Sequence, residues 1–175
     1  MKVLIAALTG TVLLAGCAGM TDSSPPIAVA NMKPTQGNTA TGTVTFVKQG
    51  DQLLMDARLT GLPPGPHGFH IHEKGNCSAP DGSSAGGHFN PSGMKHGSPA
   101  QAQHHGGDLG NIIADANGKA ALRLNIPIND INVSKNSPSS IVGKGLIVHS
   151  DPDDYVTQPT GNSGKRLACG VITLK

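Results

Sequence analysis

From residue 27 to its end the chain runs in short stretches of alternating or β-branched residues, each broken off by Gly, Pro, Asn or Asp. Alternation puts every second side chain on one face of an extended strand. The pattern predicts eight strands, over 27–32, 43–48, 53–60, 66–73, 111–116, 119–126, 145–150 and 169–174. No stretch carries a long helical apolar period, and no internal repeat is apparent. An all-β, antiparallel sandwich or barrel is therefore expected. Asn117-Gly118 stands between two of the runs and reads as a type I′ hairpin turn.

Two connections are too long to be turns. Residues 75–110 are rich in Gly, Ser and His and hold few large apolar side chains, so they cannot form a core of their own. Something else must order them. Residues 151–168 carry Asp151, Asp153, Asp154, Lys165 and Arg166 and read as a charged lid.

At 175 residues the chain suits one domain with one core. With no Trp, one Tyr and three Phe against 24 Gly and 13 Pro, turns must be frequent. The net charge is only +2 and no Lys/Arg stripe alternates with aromatics, so the footprint of a nucleic-acid binder is missing. A small substrate drawn by a local field fits better.

The first residues read as an address rather than as fold. Met1-Lys2 precedes an apolar run over 3–14, too short for a spanning helix and of the length of a signal-peptide core. The run ends in Leu14-Ala15-Gly16-Cys17, which resembles the bacterial lipobox, where cleavage precedes a cysteine that then carries the lipid. The expected division is a signal peptide over 1–16, a lipidated tether over 17–26 and one domain over 27–175. Ala18 after the cysteine resembles the default signal for sorting to an outer membrane, so a periplasmic, lipid-anchored protein of the cell envelope is expected. Three cysteines are an awkward number for an exported chain unless lipid consumes one. Cys17 is then the odd one, and Cys77 and Cys169 can pair in an oxidising compartment.

Seven potential metal ligands follow in series: His70, His72, His88, His96, His105, Asp108 and His149. Two four-coordinate sites need eight positions, so two ions sharing His88, or another central histidine, would close the count. His70 and His72 stand at i and i+2 on one strand, so their imidazoles leave from one face while Phe69 and Ile71 take the other. His149 ends another strand and could add a third nitrogen. Nitrogen-rich tetragonal coordination suits copper. His96, His105 and Asp108, with His88, make a closed N,N,N,O set suited to structural zinc. His67 and His104 are needed by neither and are expected to be solvent-exposed or to lie behind the ligands.

These residues resemble the copper/zinc superoxide dismutases. The resemblance rests on Gly68-Phe69-His70-Ile71-His72-Glu73, Gly86-Gly87-His88-Phe89-Asn90-Pro91, Lys95-His96-Gly97, His105-Gly106-Gly107-Asp108-Leu109-Gly110, Val148-His149 and 164–172, from Gly164-Lys165-Arg166-Leu167 through Ala168-Cys169-Gly170. It spans the domain from about His70 onward and is of the bacterial, lipoprotein type. It implies an eight-stranded antiparallel Greek-key sandwich or barrel, immunoglobulin-like, with long metal-binding and electrostatic loops. That family is itself a standing example of β-sandwich architecture, so this agreement with the strand pattern is not independent of it.

Residue by residue, the resemblance implies copper on His70, His72, His88 and His149, and zinc on His88, His96, His105 and Asp108, one ion of each per subunit. His88 becomes the bridge and, with Arg166, a catalytic residue. Asp153 is similar to the family's aspartate that orients one ligand of each metal, with Asp154 as competitor. Cys77 and Cys169 match the family disulfide. Arg166, three places before Cys169, is similar to the anion-guiding arginine, helped by the field of Lys165; superoxide dismutases are a standing example of such steering. The implied activity is dismutation of superoxide to dioxygen and hydrogen peroxide, protecting the envelope from extracellular superoxide, as a monomer or a homodimer. Three other classes stay open at this stage: a copper chaperone, disfavoured by the lack of a Cys-x-x-Cys motif, a metal-buffering lipoprotein, and a noncatalytic β-sandwich adhesion module.

Overall fold

A computed structural model of the protein describes residues 28–175. The expected signal peptide, Cys17, the tether and Ile27 lie outside them. Eight strands follow in order: β1 (Ala28–Pro34), β2 (Thr41–Gln49), β3 (Gln52–Thr60), β4 (Gly65–His72), β5 (Asp108–Ala114), β6 (Ala120–Pro127), β7 (Gly145–His149) and β8 (Arg166–Leu174). Every pairing is antiparallel, and the strands close into a barrel in the order β1-β2-β3-β6-β5-β4-β7-β8. The consecutive strands β4, β5 and β6 lie side by side while β3 pairs with β6, which is the Greek-key arrangement.

The period-2 pattern dictates the core. On β3 the inward positions are Leu53, Met55, Ala57 and Leu59, and on β2 Val44 and Phe46. Small residues on β1, Ala28 and Ala30, leave room for the fully buried Phe46 and Phe69. β4 and β7 depart furthest from alternation. From His67 to the end of β4, and along all of β7, every residue is buried, because the outer face is roofed by the long connection after β4. Under that roof a second apolar cluster forms from Ala85, Ile147 and Cys169, with Cys77 packed against it.

The roof is fastened at several points. Cys77 is bonded to Cys169, 92 positions away on β8. The backbones of Ile71, Phe89 and Gly107 interlock: Phe89 N–H donates to Ile71 O at 2.8 Å, Ile71 N–H to Gly107 O at 2.9 Å, and Gly107 N–H to Phe89 O at 2.8 Å. Gly107 must be a glycine, since a Cβ there would strike the Ile71 carbonyl.

Four local expectations need correction. The hairpin after β5 is not type I′, because of the pair only Gly118 has a positive φ, 72°. Gly118 N–H donates to Asp115 O, and the Asp115 carboxylate accepts from Asn117 N–H and Lys119 N–H, giving a three-residue loop that ends in a left-handed glycine. Asp108 to Gly110 belong to β5 rather than to the loop, and Arg166 to Ala168 belong to β8 rather than to the lid. A third long connection, 128–144, carries buried Ile131 and Ile141. It is ordered by Asn132, whose amide donates to Ile128 O, Ser137 Oγ and Ser139 Oγ.

Closing a loop of this length removes chain entropy from the unfolded state worth about 4–5 kcal/mol on the chain-entropy account. Replacing Cys77 and Cys169 together by alanine should therefore lower the unfolding free energy of the metal-free protein by about 3–5 kcal/mol. Urea unfolding at equilibrium measures this, and an unchanged midpoint would contradict it.

Candidate metal centre

The structure gathers the seven ligand candidates into two buried quartets that share one member. His70, His72, His88 and His149 form the first, and His88, His96, His105 and Asp108 the second. Within each, one donor atom per residue lies within 4.8 Å of the others. β4 supplies His70 and His72, the adjacent β7 supplies His149, and Asp108 opens β5; the roof supplies His88, His96 and His105. His88 is brought to its place by an isolated antiparallel bridge to His72.

Hydrogen bonding fixes which nitrogen each ring leaves bare. His72 Nδ1–H donates to Gly86 O at 2.9 Å and His149 Nδ1–H to Gly164 O at 3.4 Å. Their Nε2 atoms then face each other as lone pairs across 3.3 Å, an arrangement that calls for a cation between them. His70 Nε2–H donates to Asp153 Oδ2 at 2.7 Å, which leaves Nδ1 bare. Among the described residues, the buried side-chain atoms without a hydrogen bond are His70 Nδ1, His88 Nε2, His96 Nδ1 and His105 Nδ1, and all four belong to the quartets. Orphaned buried polar atoms each cost about 1–3 kcal/mol, so such a concentration is the mark of ligands aimed at ions. The donor sets fit copper in the first quartet and zinc in the second. His88 turns Nε2 to the first and Nδ1 to the second, where it lies 2.8 Å from Asp108 Oδ1.

Two carboxylates organise the rings. Asp108 Oδ2 accepts from Gly97 N–H at 3.1 Å and His105 N–H at 2.8 Å, drawing both arms of the roof onto β5. Asp153 reaches both quartets: Oδ2 meets His70, and Oδ1 lies 2.9 Å from His96 Nε2. Asp154 is exposed and serves its own turn, accepting from Val156 and Thr157. Three neighbours carried no sequence signal. Asn111 accepts from Asp153 N–H at 2.7 Å and donates to its carbonyl at 3.0 Å. Gln158 holds the His96 backbone through both ends of its amide. Gly161, at φ 66°, packs so close to Asp153 Oδ1 and His96 Nε2 that any side chain would push the pair apart.

His67 is buried rather than exposed. Its Nδ1 lies 2.8 Å from the His149 carbonyl and its Nε2 2.7 Å from that of Pro63, tying β4 to the end of β7 and to the β3–β4 crossover. His104 is half-buried, bonded through Nδ1 to the His105 carbonyl and outside both quartets. The half-buried Arg166 donates through Nη1 to Gly82 O at 2.7 Å and through Nη2 to Gly86 O at 2.6 Å. The Gly86 carbonyl thus serves both Arg166 and His72.

Burial dominates the titration of the first quartet. It lowers His70 to about 4 against the pull of Asp153, and holds His72 and His149 well below the usual range, with neighbouring histidines adding to the effect. Burial also lowers His105, against Asp108. His96 goes the other way: burial opposes its charge, but the nearby carboxylates, Asp108 at 3.1 Å from Nδ1 and Asp153 at 2.9 Å from Nε2, raise it to about 9. Burial would raise both aspartates, yet their histidine partners hold them well below the carboxylate range: His88 and His96 for Asp108, His70 and His96 for Asp153. In the metal-free protein a proton on His96 therefore balances the two carboxylates.

The family model described as copper/zinc superoxide dismutase matches residues 40–172. Superoxide dismutase (Cu-Zn) 2 of Brassica juncea is 42% identical over 142 residues, covering 77% of this chain and 90% of that protein. The crystal structure of the clock protein EA4 superposes with a TM-score of 0.75 at 38% identity, over 86% of this chain and 96% of that one.

The lowered histidines bind protons in the unfolded chain before the folded one, so their burial costs stability as pH falls from about 6.5 to about 4. His96 has the opposite sign: its contribution is full below about 6.5 and fades as pH rises through about 9. The two aspartates stabilise above about 4 and are lost below it. The metal-free protein should lose melting temperature steeply between pH 6.5 and 4 and only mildly between 7 and 9. Calorimetry at constant ionic strength tests this; a flat acid limb would contradict the burial of neutral histidines.

Proposed function

The chain belongs to the copper/zinc superoxide dismutase family, and from that premise we propose how its own residues divide the work of superoxide dismutation. His70, His72, His88 and His149 hold copper, and His88, His96, His105 and Asp108 hold zinc. The observation that carries this reading is the membership of His88 in both quartets, one ring nitrogen toward each. Copper supplies the one-electron couple for turning two superoxide ions into one dioxygen and one hydrogen peroxide, and zinc supplies charge without redox chemistry.

The chain's residues manage the proton and the anion. With Nδ1 committed to the second quartet, His88 Nε2 is the atom that would take up a proton when superoxide gives up its electron and return it when the next superoxide accepts one, the second proton of hydrogen peroxide coming from solvent water. Asp153 keeps His70 and His96 in the tautomers that present Nδ1 to the two sites. Arg166 draws in the anion: it is held by two carbonyls but half-exposed, and it shares the Gly86 carbonyl with His72.

The place of action is the cell envelope. A signal peptide over 1–16, lipid on Cys17, a tether over 17–26 and sorting to the periplasmic side of an outer membrane make this a bacterial lipoprotein that removes extracellular superoxide, as a monomer or a homodimer. The disulfide supports an oxidising compartment.

Metal analysis of the mature protein alongside superoxide turnover tests the chemistry. One copper and one zinc per chain are expected. His88→Ala should cut turnover by at least about 100-fold while His70, His72 and His149 retain copper; full activity in that variant would sink the shared-histidine reading. For the envelope assignment, Cys17→Ser should move the protein out of the membrane fraction, and unchanged membrane association would refute lipidation.

A further inference from the structure

Asp81 stands in the disulfide-tied part of the roof, after Pro80, and is exposed. Its Oδ1 accepts from Ser83 N–H at 2.9 Å, a side-chain-closed turn around Gly82. Within that turn Gly82 adopts a left-handed conformation, φ 74°, and its N–H donates to Ala79 O at 2.9 Å. The turn aims the Gly82 carbonyl at Arg166 Nη1, and a side chain added at this glycine would lie against the arginine's stem and Thr35. From the other side Thr35 Oγ1–H donates to the Arg166 carbonyl at 2.6 Å.

Asp81 also shares with Arg166 a polar cavity of about 250 Å³, into which Lys165, Thr35 and Asn38 also face. Asp81 is the acidic group lining it, and Lys165 and Arg166 are the cations. Each of Asp81 and Arg166 favours the charged form of the other. No ion pair forms between them, so Arg166 stays available to an anion while part of its field is spent on the carboxylate.

Resting on the proposed role of Arg166, we infer that Asp81 is a positioning residue for superoxide capture. Its turn fixes the guanidinium through Gly82, and its charge limits how strongly a small anion is drawn to Arg166. The two parts separate by substitution. Asp81→Asn keeps an amide oxygen to accept the Ser83 N–H and removes only the charge; Asp81→Ala removes both.

The test uses the fully metallated enzyme over a series of ionic strengths, with calorimetric titration by inorganic phosphate as a second readout. Asp81→Asn should react with superoxide about twice as fast at low salt, bind phosphate about twofold more tightly, and converge on the parent toward 1 M salt, where the screening length is only about 3 Å. Asp81→Ala should be slower than Asp81→Asn, because the Gly82 carbonyl is no longer held. In an Arg166→Gln background the gain from Asp81→Asn should vanish. Unchanged rate, salt dependence and phosphate affinity in Asp81→Asn would overturn the inference, as would a gain that persists undiminished without Arg166. If Arg166→Gln by itself changes neither rate nor phosphate affinity, the role of Arg166 falls, and the role of Asp81 with it.

Discussion

Seven donor groups packed between a barrel wall and its roof cannot all be satisfied by protein. Each ring that spends one nitrogen on a carbonyl or on Asp153 turns the other inward as a lone pair, and two of these face each other across 3.3 Å. Water is largely excluded by the burial of every member. Positive charge is what relieves the arrangement, whether as metal ions or, in part, as the proton on His96. The long connection after β4 has little apolar content, so the bonds that end on these donors do for it what a core does elsewhere. Metal binding and ordering of the roof are consequently one free-energy change rather than two.

The barrel makes this possible by being rigid where the donors need it. His70, His72 and His149 stand on adjacent strands whose opposite faces hold Phe69, Ile71 and Val148 in the core. Their spacing is set by strand geometry and does not depend on the roof. The second quartet is different, since three of its four members reach their places only through the roof's own bonds to Asp108, Gln158 and the Ile71–Phe89–Gly107 interlock. One site is thus close to preformed by the fold, while the other is assembled with the loop.

Much of this was legible in the chain. Alternation or β-branched runs mark all eight strands within a few residues, and the H-x-H pair on β4 with the histidines of the Gly-rich stretch points to both quartets. What stayed hidden has physical reasons. The connection over 128–144 looked unremarkable because two isolated isoleucines and one asparagine amide, not a periodic pattern, order it. The turn at Asn117-Gly118 departs from type I′ because the Asp115 side chain, two positions earlier, decides its geometry. Asp153 and Asp154 are neighbours of equal chemistry, and only the fold of the lid buries one and exposes the other. Gly161, Asn111 and Gln158 act by close packing or through the backbone of a distant segment, which leaves no motif behind.

The carbonyl of Gly86 accepts from both Arg166 and His72. One backbone atom therefore couples Arg166, the proposed recruiter of the anion, to a ring of the first quartet. A displacement of that peptide would move the acceptor of both groups at once. The other acceptor of Arg166, the Gly82 carbonyl, has no such tie to His72, so what reaches the guanidinium by that route leaves the ring untouched.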